Sequence, residues 1–171
     1  MGVIKLGIIS LIVFALLITG ISLFFPSHVR ISKATDIQTS KGALLKQLTD
    51  LSNWKNWYPG ADTMQLSVVD GSVKGLLVDT AKGMIRLTNI NDSVVTAMTS
   101  GPKVRELTSG WNIYEGNRPN TITIQWYMDF HLRWYPWEKF SSLLLEKRYG
   151  PMMEKGLDKL KKLLEPASTV Q

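Results

Sequence analysis

The side chains that could do chemistry are few. Of 171 residues only two are histidines, His28 and His131, and none is cysteine. Without cysteine there is no thiolate nucleophile, no disulfide and no Cys-ligated metal or iron–sulfur site. Two histidines do not make a His-rich metal site either. Asp129 and His131 alternate with apolar neighbours in a long strand pattern, which assigns both to a solvated outer face. With both imidazoles away from any serine or carboxylate cluster, a hydrolytic triad has no base. Glu146 and Glu154, the carboxylates nearest to a pair, fall on the solvated sides of helices beside Lys147 and Lys155. No phosphate-cradling glycine loop and no nucleophile elbow occurs. No catalytic residue, metal or cofactor is expected.

Aromatic surface is concentrated instead. Ser52-Asn53-Trp54-Lys55-Asn56-Trp57-Tyr58-Pro59-Gly60 places two tryptophans three residues apart on one face of a short helix, which Pro59-Gly60 stops. Such rings either plug one end of a core or form a lid over a cavity. From Ile122 the pattern is strictly alternating. Ile122, Ile124, Trp126, Met128, Phe130 and Leu132 point one way, so one face of this strand is buried.

The element that organises the chain comes first. Leu6 to Phe25 carries no charge, and Pro26 ends the run. At about 1.5 Å per helical residue it matches the roughly 30 Å of a bilayer's hydrocarbon core. A cleaved signal peptide would have a shorter apolar core and a small-residue cleavage site, whereas this one ends on Leu23-Phe24-Phe25. The other alternative is a buried core helix, against which its length, its position and its lack of a charged face all count. The expectation is one uncleaved transmembrane anchor over residues 1–26, a domain over 27–165 and a frayed tail over 166–171. Lys5 lies on one side of the span and Arg30 and Lys33 on the other, so the charge rule orients it weakly. The short basic head favours a cytoplasmic N-terminus and an extracytoplasmic domain.

Net charge is +6, from 20 Lys+Arg against 14 Asp+Glu, and the pI is about 9.6. That modest excess favours anionic partners such as acidic lipid headgroups and is too diffuse for nucleic acid.

The remaining segments read in order. Val29 to Thr39 is a strand, with Lys33 breaking its alternation, so that its first half could be a link from the membrane. Leu44, Leu45, Leu48 and Leu51 mark an amphipathic helix capped by Thr39 or Ser40. A meander follows. Met64, Leu66 and Val68 alternate, Asp70-Gly71 turns, and Ser72 to Asp79 returns. Lys82-Gly83 leads into Met84 to Ile90, and Asn91-Asp92 turns into Val94 to Thr99. Val104 to Tyr114 comes before the long strand. Asn91-Asp92-Ser93 is also a glycosylation sequon, a weak signal in a turn. Trp134-Tyr135-Pro136-Trp137 enters a helix over Glu138 to Tyr149, Gly150-Pro151 interrupts it, and a last helix runs from Pro151 to about Glu165 with Met153, Leu157, Leu160 and Leu164 as its stripe. Strand, helices, antiparallel strands and a terminal helix make an α+β fold in which that helix covers the sheet's apolar face.

Ile37 through Gly60, with Asp50-Leu51-Ser52-Asn53-Trp54-Lys55-Asn56-Trp57-Tyr58-Pro59, resembles the opening of the SRPBCC superfamily. These are the START-like or polyketide-cyclase-like helix-grip proteins. Gly150 through Leu164 is similar to their closing helix, and the likeness is greatest to the bacterial branch with an N-terminal transmembrane helix. It spans roughly residues 29–165. The sequence departs from the family in having Leu44-Leu45 where a Val-Trp pair is common. The resemblance implies a curved sheet wrapped around a long C-terminal helix, with a hydrophobic cavity between them. It carries over no catalytic set.

Trp54, Trp57, Trp111, Trp126, Met128, Phe130, Met153, Leu157 and Leu160 are the expected ligand-binding residues. The expected ligand is a hydrophobic or lipid-like small molecule, and oligomeric state is left open. Two alternatives stand beside this binding role. One is a cyclase- or dehydratase-like enzyme, which needs an ionisable group with a shifted pKa inside the cavity. The other is a membrane interaction module with no ligand, in which Trp134, Tyr135 and Trp137 beside Arg133 lie at the headgroups.

Overall fold

The computed structural model describes residues 2–78, 83–102, 104–116 and 118–165. The expected ends at Asp79 and Lys82 and the tail from Pro166 lie outside the described residues. Helix α1 (Gly2–Ser22) is long and apolar enough to cross a membrane, and only its end, at Ser22, is buried against the domain. Two of its hydroxyls fold back onto the helix, Thr19 Oγ1 donating to the Ala15 carbonyl at 2.8 Å and Ser22 Oγ to the Thr19 carbonyl at 2.8 Å. They therefore carry no unmet polarity into an apolar medium.

Strand β1 (His28–Gln38) follows. Helix α2 (Lys41–Thr49) begins at Ser40, whose Oγ accepts from the Ala43 amide at 3.3 Å. A 3-10 turn at Leu51–Asn53 leads into α3 (Trp54–Trp57). Then come β2 (Gln65–Val69), β3 (Ser72–Val78), β4 (Gly83–Ile90), β5 (Val94–Gly101), β6 (Val104–Glu115) and β7 (Thr121–His131). Asp70 and Gly71 both take positive φ, the hairpin turn that this pair predicts. All pairings are antiparallel, in the order β1-β7-β6-β5-β4-β3-β2. The first strand thus closes beside the last, and the curved sheet wraps the terminal helices α4 (Pro136–Ser141) and α5 (Leu145–Leu164). This is the expected α+β helix-grip architecture.

Three expectations change. The helical break falls at a 3-10 turn, Ser142–Leu144, and α5 runs straight through Gly150-Pro151. A proline inside a helix removes one backbone hydrogen bond, but here a lysine from β1 bridges the site. Lys33 Nζ reaches Glu146 at 2.7 Å and Glu154 at 2.9 Å, one carboxylate on each side of Pro151. Those two glutamates are therefore partners of one cation, and Lys33 does not mark a loose link. Lys33 shares the inward-facing side of β1 with Ile31 and Ile37, on an edge strand where an inward charge also discourages pairing with other chains. The third change concerns β2, where Leu66 and Val68 are exposed on the sheet's far edge strand.

Candidate functional site

The interior between sheet and helix is built from aromatic rings. Trp54, Trp57, Trp111 and Trp126 have no exposed surface. Their ring centroids stand 5.2 Å apart for Trp54–Trp111, 5.5 Å for Trp54–Trp57, 5.8 Å for Trp57–Trp111 and 5.6 Å for Trp111–Trp126. Tyr58 stacks on Trp54 at 4.7 Å. Local geometry holds the first two in place. The Trp54 indole donates to the Leu48 carbonyl at 3.0 Å and the Trp57 indole to that of Gln47 at 3.3 Å. The two rings so occupy carbonyls at the end of α2 that the helix itself leaves free. Trp111 and Trp126 sit opposite each other in the register of β6 and β7.

Helix α5 meets this cluster closely. A Cβ placed on Gly156 would lie 2.7 Å from Cζ3 of Trp126 and 3.0 Å from Cδ of Pro59. Only glycine lets the helix backbone come so near. Met153, Leu157 and Leu160 bury themselves on the same side. The nine residues expected to contact a ligand are therefore brought together as one contiguous buried body. Of these, Phe130 alone lines the pocket described next.

That pocket opens where α5 begins. It has a volume of about 270 Å³ and lies between β5, β6 and β7 on one side and α4 and α5 on the other. Leu107, Phe130, Leu132, Leu145 and Tyr149 form its apolar wall, with Arg105, Glu106, Thr99 and Ser141 around it. Phe130 and Tyr149 pack against each other with centroids 4.9 Å apart. Arg105 is held by Glu138 at 2.7 Å, and the same carboxylate accepts from the Arg133 amide at 2.7 Å. Burial opposes ionisation of Glu138, but the Arg133 amide and the Arg105 guanidinium outweigh it and keep its carboxyl below the usual range. Sequence reasoning found Phe130 and missed the rest of this lining. Leu145 and Tyr149 belong to the helix that was expected to be interrupted, and Leu107 and Arg105 come from β6, whose alternation is weak.

Among the described residues, two buried ionisable groups are perturbed elsewhere in the domain. Burial pushes the Tyr58 hydroxyl up to about 12, partly offset by the Ser109 hydroxyl beside it. Among the described residues, the indole donors Trp111 Nε1 and Trp126 Nε1 are buried without a hydrogen-bond partner. A tyrosine held so firmly protonated donates hydrogen bonds and is no base at neutral pH. The second group is Asp129, expected to be solvated and found 7% exposed. Arg30 donates to both of its oxygens through one guanidinium edge, Nε to Oδ1 at 2.7 Å and Nη2 to Oδ2 at 2.7 Å, and His28 Nε2 lies 3.3 Å away. The hydrogen bond from Arg30 holds the Asp129 carboxyl below its ordinary value, against the opposing effect of burial. His28 stacks on His131 at 4.7 Å. The two imidazoles thus share one place with a carboxylate, because β1 and β7 pair His28 with His131 and Arg30 with Asp129. The cluster is on the outer face of the sheet, as expected for Asp129 and His131. Its bidentate ion pair is structural in geometry.

Solved structures with this fold include XoxI from Bacillus cereus, at 18% identity and a TM-score of 0.57, covering 80% of this chain and 95% of that one. A START superfamily protein from Mycobacterium smegmatis aligns at 13% identity and a TM-score of 0.56, covering 79% and 96%. A norcoclaurine synthase from Thalictrum flavum, solved as a point mutant with a transition-state analogue, aligns at 12% identity and a TM-score of 0.59, covering 80% and 93%. At these identities the likeness shows the fold. No curated protein sequence matches the chain. The family described as polyketide cyclase / dehydrase and lipid transport matches residues 28–165. The chain belongs to that family, and membership supports a hydrophobic-ligand-binding domain behind the apolar helix.

Proposed function

We propose that the chain is a membrane-anchored binding protein for a hydrophobic or lipid-like small molecule. Helix α1 spans the bilayer once, and the domain that follows holds the ligand's apolar part in the pocket lined by Phe130 and Tyr149. The observation that carries this reading is that pocket. It is lined by leucine and aromatic surface, has Arg105 and Glu106 beside it, and lies between sheet and closing helix. A mostly apolar concavity with a few polar groups is the usual form of a small-molecule site. At about 270 Å³ it takes a slender apolar group and falls just below the ~300–1,000 Å³ common for such sites. The polar neighbours at its mouth suit an amphipathic ligand whose head stays near water.

The test is extraction and mass spectrometry of small molecules that co-purify with the full chain. A Leu145→Trp variant fills the pocket and serves as the comparison. A defined apolar compound bound by the natural chain and lost from the variant is expected. Equal recovery from both, with the variant folded, would refute the pocket as the site.

A further inference from the structure

The segment between β7 and α5 turns its apolar residues outward. Trp134 is 63% exposed, Trp137 67%, Leu143 65% and Leu144 63%. Solvent-facing aromatic and leucine side chains in one run form a patch that calls for a partner. The polar groups of the same run are turned away from that patch. Glu138 is taken by Arg105 and the Arg133 amide. Lys139 is 4% exposed, and its ammonium donates to the Phe25 carbonyl at 3.0 Å and to Ser27 Oγ at 2.6 Å. Arg133, Lys147 and Arg148 stand exposed on either side.

Position identifies the occupant. The end of α1 packs on α4, with the Phe25 and Phe140 rings 5.2 Å apart. Phe25 is also the last residue of the uncharged run. The apolar patch therefore lies on the same helical segment that packs at the point where α1 leaves hydrocarbon, and Phe24 at that point is itself 90% exposed. Tryptophan is the residue that settles at the headgroup level, and flanking arginine and lysine extend their charges toward lipid phosphates.

We propose that Trp134, Trp137, Leu143 and Leu144 form a second contact with the bilayer that α1 crosses, inserted at the headgroup boundary of the same leaflet. The occupant is phospholipid, with Arg133, Lys147 and Arg148 facing phosphate. This rests on the reading of α1 as a membrane span. It adds that the domain is held in one pose, with Leu132, Ser141 and Leu145 of the pocket on the same segment as the inserted side chains.

The absence of cysteine makes the test direct. The full chain is placed in nanodiscs of phosphatidylcholine and phosphatidylglycerol. A single spin label is attached in separate variants, Trp134→Cys, Trp137→Cys, Leu143→Cys and Leu144→Cys. Leu11→Cys reports on α1, and Val68→Cys on the far edge of the sheet gives the aqueous reference. Collision with oxygen reports lipid, and collision with a water-soluble nickel complex reports water.

Labels in the 134–144 run are expected to show several-fold higher oxygen-to-nickel ratios than the label at 68. Ratios equal to that reference would overturn the proposal. So would low access to both reagents with dipolar broadening between labels, the sign of a second copy covering the patch. Lipid exposure at position 11 combined with water at 134–144 defeats the second contact alone, whereas water at position 11 defeats the span. Four separate label sites, each checked by the emission of the buried tryptophans, keep the result independent of any one variant that fails to fold.

Discussion

Lys139 Nζ donates to Ser27 Oγ at 2.6 Å, across 112 positions of the chain. The same ammonium reaches the Phe25 carbonyl at 3.0 Å. The chain leaving α1 is thereby fastened to α4, and the backbone continues the fastening where the Leu132 amide donates to the Ser27 carbonyl at 2.7 Å.

Lys139→Met keeps the length of the side chain and removes both hydrogen bonds. A hydrogen bond involving a charged group contributes about 1.5–3 kcal/mol, so a loss of about 2 kcal/mol is expected in urea unfolding. Protease cleavage between Phe25 and His28 should rise with it. Unchanged cleavage would mean that the backbone contact alone fixes the junction.

Asp129→Asn tests the outer ion pair. Its bidentate geometry strengthens it, while the half-exposed Arg30 side chain weakens it by screening. A loss of about 1–2 kcal/mol at pH 7 is expected. The folded carboxyl ionises below its ordinary value, so its contribution is fully present above the unfolded pKa of about 3.9 and is lost as pH falls through the folded value. Unfolding measured at pH 7, 4 and 3 should show the natural chain and the variant converging toward acid.

Two tryptophans of similar size should give opposite results. Trp57→Ala removes a fully buried ring and frees the Gln47 carbonyl, at a cost of about 3–5 kcal/mol. Trp134→Ala touches an exposed ring and should stay within about 0.5 kcal/mol in detergent solution. Denaturant midpoints of the two variants provide the comparison.

Gly156→Ala sets helix propensity against crowding. Alanine favours the helix by up to about 1 kcal/mol. Its methyl would meet Trp126 and Pro59, and overpacking of this kind costs about 1–3 kcal/mol. Net destabilisation of about 1–2 kcal/mol is expected, seen as a lower Tm. A stabilised variant would show that α5 moves outward freely.

Much of the fold could be read from local pattern. The alternation in β7 placed Trp126, Met128 and Phe130 inward, and Asp70-Gly71 and Ser40 marked a turn and a cap that the structure contains. What local pattern could not show depended on distant partners. Gly150-Pro151 looks like a helix break until Lys33 arrives from β1. Asp129 looks solvated until the β1–β7 register brings Arg30 over it. The pocket was hidden for the same reason. Its wall combines β6, β7 and α5, and no single stretch of sequence carries its pattern. Bulky residues at helical and strand spacing were legible as interior, but whether they surround a space or fill it depends on how closely Gly156 lets the helix descend.

Between Ser22 at the end of α1 and His28 at the start of β1 the connecting stretch is brief, and Lys139 grips it at both Phe25 and Ser27. With α1 in a bilayer, this is a short leash with little slack. Under the proposed anchoring, the domain would work at a single height above the lipid and could not carry a ligand across an aqueous gap. A donor or acceptor of that ligand would then have to come to the membrane surface, or already reside in it.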